Sequence, residues 1–320
     1  MKMTDATDWK RAVVHLECAA DSLTSDERIE NLNRTQSQFR EGKISAEQFS
    51  TEVMRGNRDV RIYGTAIFCR RGKNKYLITA RHVLWDSGNS NTQLETREED
   101  DEIFRIIFRV PSLKELRENP DSRSFPSNFL MNLGAGAPSS ASYTFSSRAI
   151  DLAVISLGGC NLQFARELED SGFVPIDFSR VVNGPSKEGS EVLTVGFPGA
   201  VAIVKQEKKG PAEALWSSTS TSLPVWSFGR VAMLDAELPF FWADMNISPG
   251  NSGGPVIENG SLVGVILSQA RIPLDEMPSV GARIPFAKIA KAKFLQPLLD
   301  VQDQKDAFKI GTLSANGITI

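Results

Sequence analysis

The segment Ser248-Pro249-Gly250-Asn251-Ser252-Gly253-Gly254-Pro255 carries the sharpest chemical signal in the chain. A serine hydroxyl is a weak nucleophile at neutral pH. It reacts only where a base can take its proton and where N–H groups face the charge that develops on the attacked carbonyl oxygen. Gly250 permits a tight turn that aims backbone N–H groups at one point, and Gly253 and Gly254 leave room for a second backbone beside Ser252. The bland alternative is a glycine-rich turn between two strands.

Only two histidines are available as the base. His82 ends the run Leu77-Ile78-Thr79-Ala80-Arg81-His82-Val83, where an apolar strand gives way to a polar pair and an imidazole can project into a cleft. His15 lies in an amphipathic stretch and reads as a helix-surface or packing residue. An acid must then hold the imidazole in one tautomer and stabilise its cation. Asp151 opens the apolar run Leu152-Ala153-Val154-Ile155, and a carboxylate abutting a buried strand needs a partner. Viewed alone, His82 reads as structural or exposed, and the lesser alternative for Asp151 is a strand-start turn or cap. Together they form a set ordered His82, Asp151, Ser252. That order excludes the G-x-S-x-G elbow of α/β-hydrolases, which place the histidine after the serine, because no histidine follows residue 82.

The elements that must position this set change character near Arg61. Before it, Trp9, Val13, Leu16 and Ala20 repeat at helical spacing and predict a helix over 6–20. Thr24 with Glu27 and Ser45 with Gln48 are capping boxes, Ile44 and Phe49 a hydrophobic staple, and Gly42 a helix stop. After Arg61, short β-branched-rich runs separated by turn signals predict strands over 63–69, 75–79, 103–110, 152–157, 191–195, 229–235, 254–257, 262–268 and 280–285. Asn259-Gly260 marks a hairpin between two of them. Residues 286–299 read as a closing helix and 301–320 as a polar tail, while 134–147 and 217–222 read as exposed loops. The acidic run 98–102 reads as a solvated loop. Strands without intervening amphipathic helices predict a mainly β barrel or sandwich.

The 320 residues are 41% hydrophobic and 23% charged with a net charge of −3, which excludes disordered and collagen-like chains and is ample for a sizeable core. With a pI near 5.7, no general nucleic-acid-binding function is expected, since that needs a basic face. Three scattered cysteines form no CxxC pattern, and neither a histidine pair nor HExxH is present, so no metal and no cofactor is expected. The polar start lacks a signal-peptide core and no long apolar run occurs, so a cytoplasmic chain without a membrane partner is expected.

Residues 61–300 resemble a trypsin-like (chymotrypsin-fold) serine protease, in wording nearest the HtrA-like bacterial branch. The resemblance rests on Gly64-Thr65-Ala66-Ile67, the run through His82, Asp151-Leu152-Ala153-Val154-Ile155, Val195-Gly196-Phe197-Pro198-Gly199, the segment 244–255 and Gly264-Val265-Ile266. It implies a mainly β, two-barrel trypsin-like fold of two six-stranded barrels with the site between them. It also implies a catalytic triad of His82, Asp151 and Ser252, with the N–H groups of Gly250 and Ser252 as the oxyanion hole. On this reading residues 1–60 are a helical extension and a candidate surface for a partner protein, and 301–320 are too few for a PDZ domain.

Two departures from the family bear on activity. Asn251 stands where digestive proteases carry the aspartate that pairs with a newly cut N-terminus, so no activating cleavage of that kind is expected. By the resemblance, Asn246 lies near the base of the primary pocket, with Leu267, Ser268 and Gln269 on the adjoining strand. No acid stands there, so a neutral or apolar residue is expected before the scissile bond. The expected function is hydrolysis of protein or peptide substrates. A hydrolase of small esters with the same triad, and a non-catalytic protein of the same fold that binds a partner, are the competing readings.

Overall fold

The computed structural model describes residues 8–20, 25–49, 59–84, 105–110, 127–132, 141–206, 220–274 and 277–315. Among these residues sixteen strands dominate. The first eight are β1 (Val13–Ala20), β2 (Asp59–Arg71), β3 (Asn74–Ala80), β4 (Arg105–Val110), β5 (Ser127–Asn132), β6 (Tyr143–Phe145), β7 (Leu152–Ser156) and β8 (Ile176–Asp177). They form one sheet in the order β5-β4-β1-β2-β3-β7-β6, with β8 pairing in parallel with β2. Then come β9 (Glu191–Gly196), β10 (Ile203–Gln206), β11 (Ser220–Ser222), β12 (Val225–Met233), β13 (Phe240–Met245), β14 (Pro255–Glu258), β15 (Ser261–Leu274) and β16 (Met277–Lys291). Six of these close a barrel in the order β12-β13-β16-β15-β14-β9, and β10 pairs with β11. Among the described residues the helices include α1 (Ser25–Arg40), α2 (Leu162–Asp170), α3 (Gly199–Ala202) and α4 (Leu295–Ala315). None of the helices among the described residues is long and apolar enough to cross a membrane.

Two apolar clusters organise these layers. Val192, Val231, Phe241, Met245, Val256, Ile266 and Ile289 fill the closed barrel. Phe68, Leu77, Ile78, Val154 and Ile155 of the first sheet pack with Phe197, Leu262, Val265, Leu267 and Leu299 in the other. β15 therefore divides its side chains between the two cores. That accounts for its near-continuous apolar sequence, since a strand covered on both faces needs no polar alternation. The Asn259-Gly260 hairpin is present as read: Glu258 pairs with Ser261, and both turn residues have positive φ, 50° and 82°.

Local signals in the N-terminal region held where they were specific. Ser45 N–H donates to Gln48 Oε1 at 2.9 Å and Gln48 N–H to Ser45 Oγ at 3.1 Å, the reciprocal pair of a capping box. α1 ends as Gly42 suggested, with Lys43 N–H bonded to the Gln38 carbonyl at 2.9 Å and Gly42 N–H to Phe39 at 3.0 Å. Thr24 and the acidic run 98–102 lie outside the described residues.

Five stretches differ from expectation. Residues 13–20, read as helix, are β1, which runs between β2 and β4. Trp9, Val13 and Leu16 are fully buried, but so are Ala12 and Val14, so apolar contacts on both sides override the helical spacing. Residues 286–291, read as helix, finish β16. Ala287 and Ile289 face the barrel interior there, while Phe286 is exposed. The tail from 301 continues α4 to Ala315, with Gln302 fully buried against the first sheet. Of the two expected loops, 143–145 form β6 and 220–222 form β11.

Candidate active site

His82 and Asp151 meet at adjacent ends of β3 and β7. The register pairs Ala80 with Leu152, so the residues just past that pair, Arg81 and His82, lie opposite Asp151. Arg81 N–H donates to the Asp151 carbonyl at 3.0 Å, and a 3₁₀ turn over Arg81–Leu84, anchored by buried Val83 and Leu84, turns His82 out. Asp151 then holds His82 twice. Its Oδ2 lies 2.7 Å from the ring Nδ1, and its Oδ1 accepts from the His82 backbone N–H at 2.9 Å. Asp151 adopts φ of +60°, a left-handed conformation that aspartate tolerates better than most residues. The turn before it is closed by its own N–H on the Ser147 carbonyl at 2.9 Å. A carboxylate on Nδ1 places the ring proton there and leaves Nε2 with its lone pair.

Ser252 sits on the turn between β13 and β14, and its peptide planes are fixed one after another. The Pro249 carbonyl accepts from Gly199 N–H at 2.9 Å, Gly250 from Thr65 Oγ1 at 2.7 Å, Asn251 from Gly254 N–H at 2.8 Å and Ser252 from Thr65 N–H at 2.8 Å. In a trans peptide the N–H points opposite the carbonyl. The bonds on the Pro249 and Asn251 carbonyls therefore turn the N–H groups of Gly250 and Ser252 away from the protein partners of the turn, and neither donates a backbone bond among the described residues. Gly250 has φ of +101° and Gly253 +85°. A Cβ on Gly250 would lie 2.1 Å from the Phe197 carbonyl oxygen, and one on Gly253 would lie 2.0 Å from that of Thr65. Close approach, beyond turn conformation alone, fixes glycine at both positions.

The serine hydroxyl donates to the Leu267 carbonyl at 2.9 Å, and among the described residues it makes no hydrogen bond to His82. Leu267 is an extra residue in β15, since Ile266 pairs with Ile289 and Ser268 with Lys288, and this irregularity lies at the carbonyl that reaches Ser252. Leu267 is buried, Gln269 half-buried and Ser268 exposed. Asn246 is exposed just past β13 and shares no hydrogen bond with residues 267–269. Asn251 is 1% exposed, and its side-chain oxygen has no partner among the described residues. His15 is buried in β1 and stacks on Phe197 with ring centroids 5.0 Å apart, so it backs the loop that carries Gly199.

In the sequence Thr65 and Gly199 carry only the family resemblance and signal no role of their own. Their contacts to Ser252 and its neighbours cross between segments far apart in the chain, and nothing in local spacing signals them.

The chain matches the trypsin-like peptidase domain over residues 64–265, a span that contains His82, Asp151 and Ser252. No curated protein matches it significantly. Among solved structures, the inactive form of Rv3671c protease is similar at 11% identity, covering 92% of this chain and 91% of that one, with a TM-score of 0.41. A likeness that low carries no argument by itself. The family match spans well over half the chain, and on that basis the chain belongs to the trypsin-like peptidase domain family.

Proposed function

We propose that the chain is a serine endopeptidase with His82, Asp151 and Ser252 as its catalytic triad. The observation that carries this reading is the double hold of Asp151 on His82 at the rim of the first sheet, beside a glycine turn that presents Ser252 from the barrel. In the resting arrangement the Ser252 hydroxyl is on the Leu267 carbonyl, so rotation about its Cα–Cβ bond precedes attack. Ser252 Oγ then bonds to the scissile carbonyl carbon while its proton passes to His82 Nε2. Asp151 stabilises the imidazolium, and the N–H groups of Gly250 and Ser252 receive the oxyanion. Collapse breaks the C–N bond, and the departing amine takes the proton from His82. Water attacks the acyl-serine with the same base, and Ser252 recovers its proton as the acid leaves.

A peptide suits the site better than a small ester. Beyond Ile266, which bonds to Gly253 and Gly254, Ser268 and Gln269 pair with β16 on one side and have no strand partner on the other among the described residues, which leaves an edge next to Ser252. An extended chain can add to such an edge through backbone bonds. The residue before the scissile bond is neutral or apolar on this reading, with Asn246 and Leu267 to Gln269 at its pocket.

An unbiased peptide library treated with the protein and with Ser252→Ala tests the proposal. Cleavage lost in Ser252→Ala and concentrated after neutral residues is expected. Cleavage mainly after Arg or Lys would overturn the pocket assignment, and no cleavage by well-folded protein would favour the non-catalytic, partner-binding reading.

A further inference from the structure

Thr65 is fully buried on β2, and each of its polar atoms is engaged at the junction between the first sheet and the barrel. Its hydroxyl donates to the Gly250 carbonyl at 2.7 Å and accepts from Phe197 N–H at 3.1 Å. Its N–H donates to the Ser252 carbonyl at 2.8 Å, and its own carbonyl accepts from the Thr79 hydroxyl at 2.7 Å, just ahead of His82 in the chain. Of the four successive carbonyls from Pro249 to Ser252, Thr65 holds two directly. It acts on a third by pinning Phe197, whose loop supplies the Gly199 N–H that holds Pro249.

We propose that Thr65 is the positioning residue of this site: from the sheet that carries His82 and Asp151 it fixes the Gly250–Asn251 and Ser252–Gly253 peptides, which bracket the peptide carrying the Ser252 N–H, and through Phe197 it supports the loop that holds the peptide carrying the Gly250 N–H. The inference rests on the peptidase reading for its consequence in turnover, but the hold on the turn stands on geometry alone. The chemistry requires a hydroxyl. One atom must donate to a carbonyl and accept from an N–H at once, and among small side chains only serine and threonine do so. Without it the Gly250 carbonyl and the Phe197 N–H are left buried and unpaired, and the turn relieves that by rotating the Gly250–Asn251 peptide, which lies between the two peptides that carry the Gly250 and Ser252 N–H groups and shifts both. Asn251 N–H, which donates to the Ser248 carbonyl at 3.0 Å, belongs to the peptide whose carbonyl Thr65 holds, so that bond is lost in the same rotation.

Thr65→Val keeps the shape and removes the hydroxyl; Thr65→Ser keeps the hydroxyl and removes a methyl. Turnover is measured per active site titrated with a fluorophosphonate, and amide hydrogen exchange is followed over residues 248–254. Complete loss of one oxyanion donor costs about 100- to 1,000-fold in kcat, so a misdirected pair should cost about 10- to 100-fold in Thr65→Val. KM and the midpoint of the acid limb of the pH profile should stay at the wild-type values, and exchange over 248–254 should quicken at least about tenfold. Thr65→Ser should restore turnover and protection. A loss of stability alone would lower the titrated fraction and leave turnover per site intact, which would overturn the proposal, as would Thr65→Val with wild-type turnover and wild-type exchange. Should the wild type neither cleave nor label while Thr65→Val still loosens 248–254, the peptidase reading fails and the hold of Thr65 on the turn stands. If Thr65→Val does not fold, Thr65→Ala against Thr65→Ser makes the same comparison.

Discussion

Asp151 grips His82 with both carboxylate oxygens, one on the ring Nδ1 at 2.7 Å and one on the backbone N–H at 2.9 Å. The first contact sets the tautomer and the second fixes where the ring starts. Asp151→Asn keeps a side chain of the same size that tolerates φ of +60°, so the backbone is preserved and the charge alone is removed. The amide favours the wrong imidazole tautomer, and kcat should fall by about 10,000-fold with the melting temperature nearly unchanged. Steady-state kinetics with thermal melts check this; a variant within tenfold of wild type would argue that His82 is not the base.

Gly253→Ala should unfold or severely weaken the protein. The added Cβ would meet the Thr65 carbonyl oxygen at 2.0 Å and the Thr79 hydroxyl oxygen at 2.1 Å, at a φ of +85°. Overpacking and left-handed strain together cost about 2–5 kcal/mol. Urea denaturation measures the loss, and a change under about 1 kcal/mol would contradict the close packing of turn against sheet.

A chain beginning at Asn57 should fail to fold. It would lack β1, which lies between β2 and β4, and with it the buried side chains Trp9, Val13, Val14 and Leu16. Burial of each large apolar side chain is worth about 1.5–3 kcal/mol, so the sum rivals a typical total stability of about 5–15 kcal/mol. Circular dichroism and gel filtration decide the matter: a soluble, folded and active truncated chain would show that the N-terminal segment is dispensable.

Asp303 ties α4 to the first sheet and gives stability an acid limb. It accepts from Tyr76 and Arg71 and, at 3.1 Å, from Asn74. Burial pushes its carboxyl upward, but the bonds from Tyr76, Arg71 and Asn74 outweigh that and hold it below the usual carboxylate value of 3.8. A depressed folded pKa means stabilisation that is present above the unfolded value and is lost as pH falls below about 3.8 towards the folded one. Asp303→Asn should cost about 1–3 kcal/mol at pH 7 by weakening these bonds, and should flatten the decline of stability below that pH. Chemical denaturation at pH 7 and pH 3 measures both; equal losses at the two values would contradict the linkage.

Cys69 should be inert in the folded protein. Burial, then the nearby Asp177 carboxylate, pushes its thiol up to about 12, so almost no thiolate forms at neutral pH. Thiol titration with Ellman's reagent should therefore modify Cys69 only on denaturation, and rapid modification in native buffer would contradict its burial.

What the sequence made legible was chemistry with a local signature. Chain order and the strand-end settings of His82 and Asp151 pointed to the pair that the register of β3 and β7 brings together, and Asn259-Gly260 identified its hairpin. β1 carries a misleading local signal: Trp9, Val13 and Leu16 fit a helical stripe, and only burial of the residues between them, with pairing to strands distant in the chain, reveals a strand. β13 was missed, although its residues Phe241, Ala243 and Met245 alternate into the barrel. Its aromatic side chains at 240–242 hid that alternation. The role of Thr65 was out of reach for a different reason: every partner of its hydroxyl is more than a hundred residues away.

The central claim is that Ser252 is a nucleophile activated by His82. Reaction of the folded protein with a fluorophosphonate, followed by intact-mass and peptide mapping, tests it most directly. One adduct on Ser252 is expected, formed much more slowly in His82→Ala and absent in Ser252→Ala. A folded wild-type protein that takes up no label, or labels at another residue at the same rate in all three chains, would contradict it.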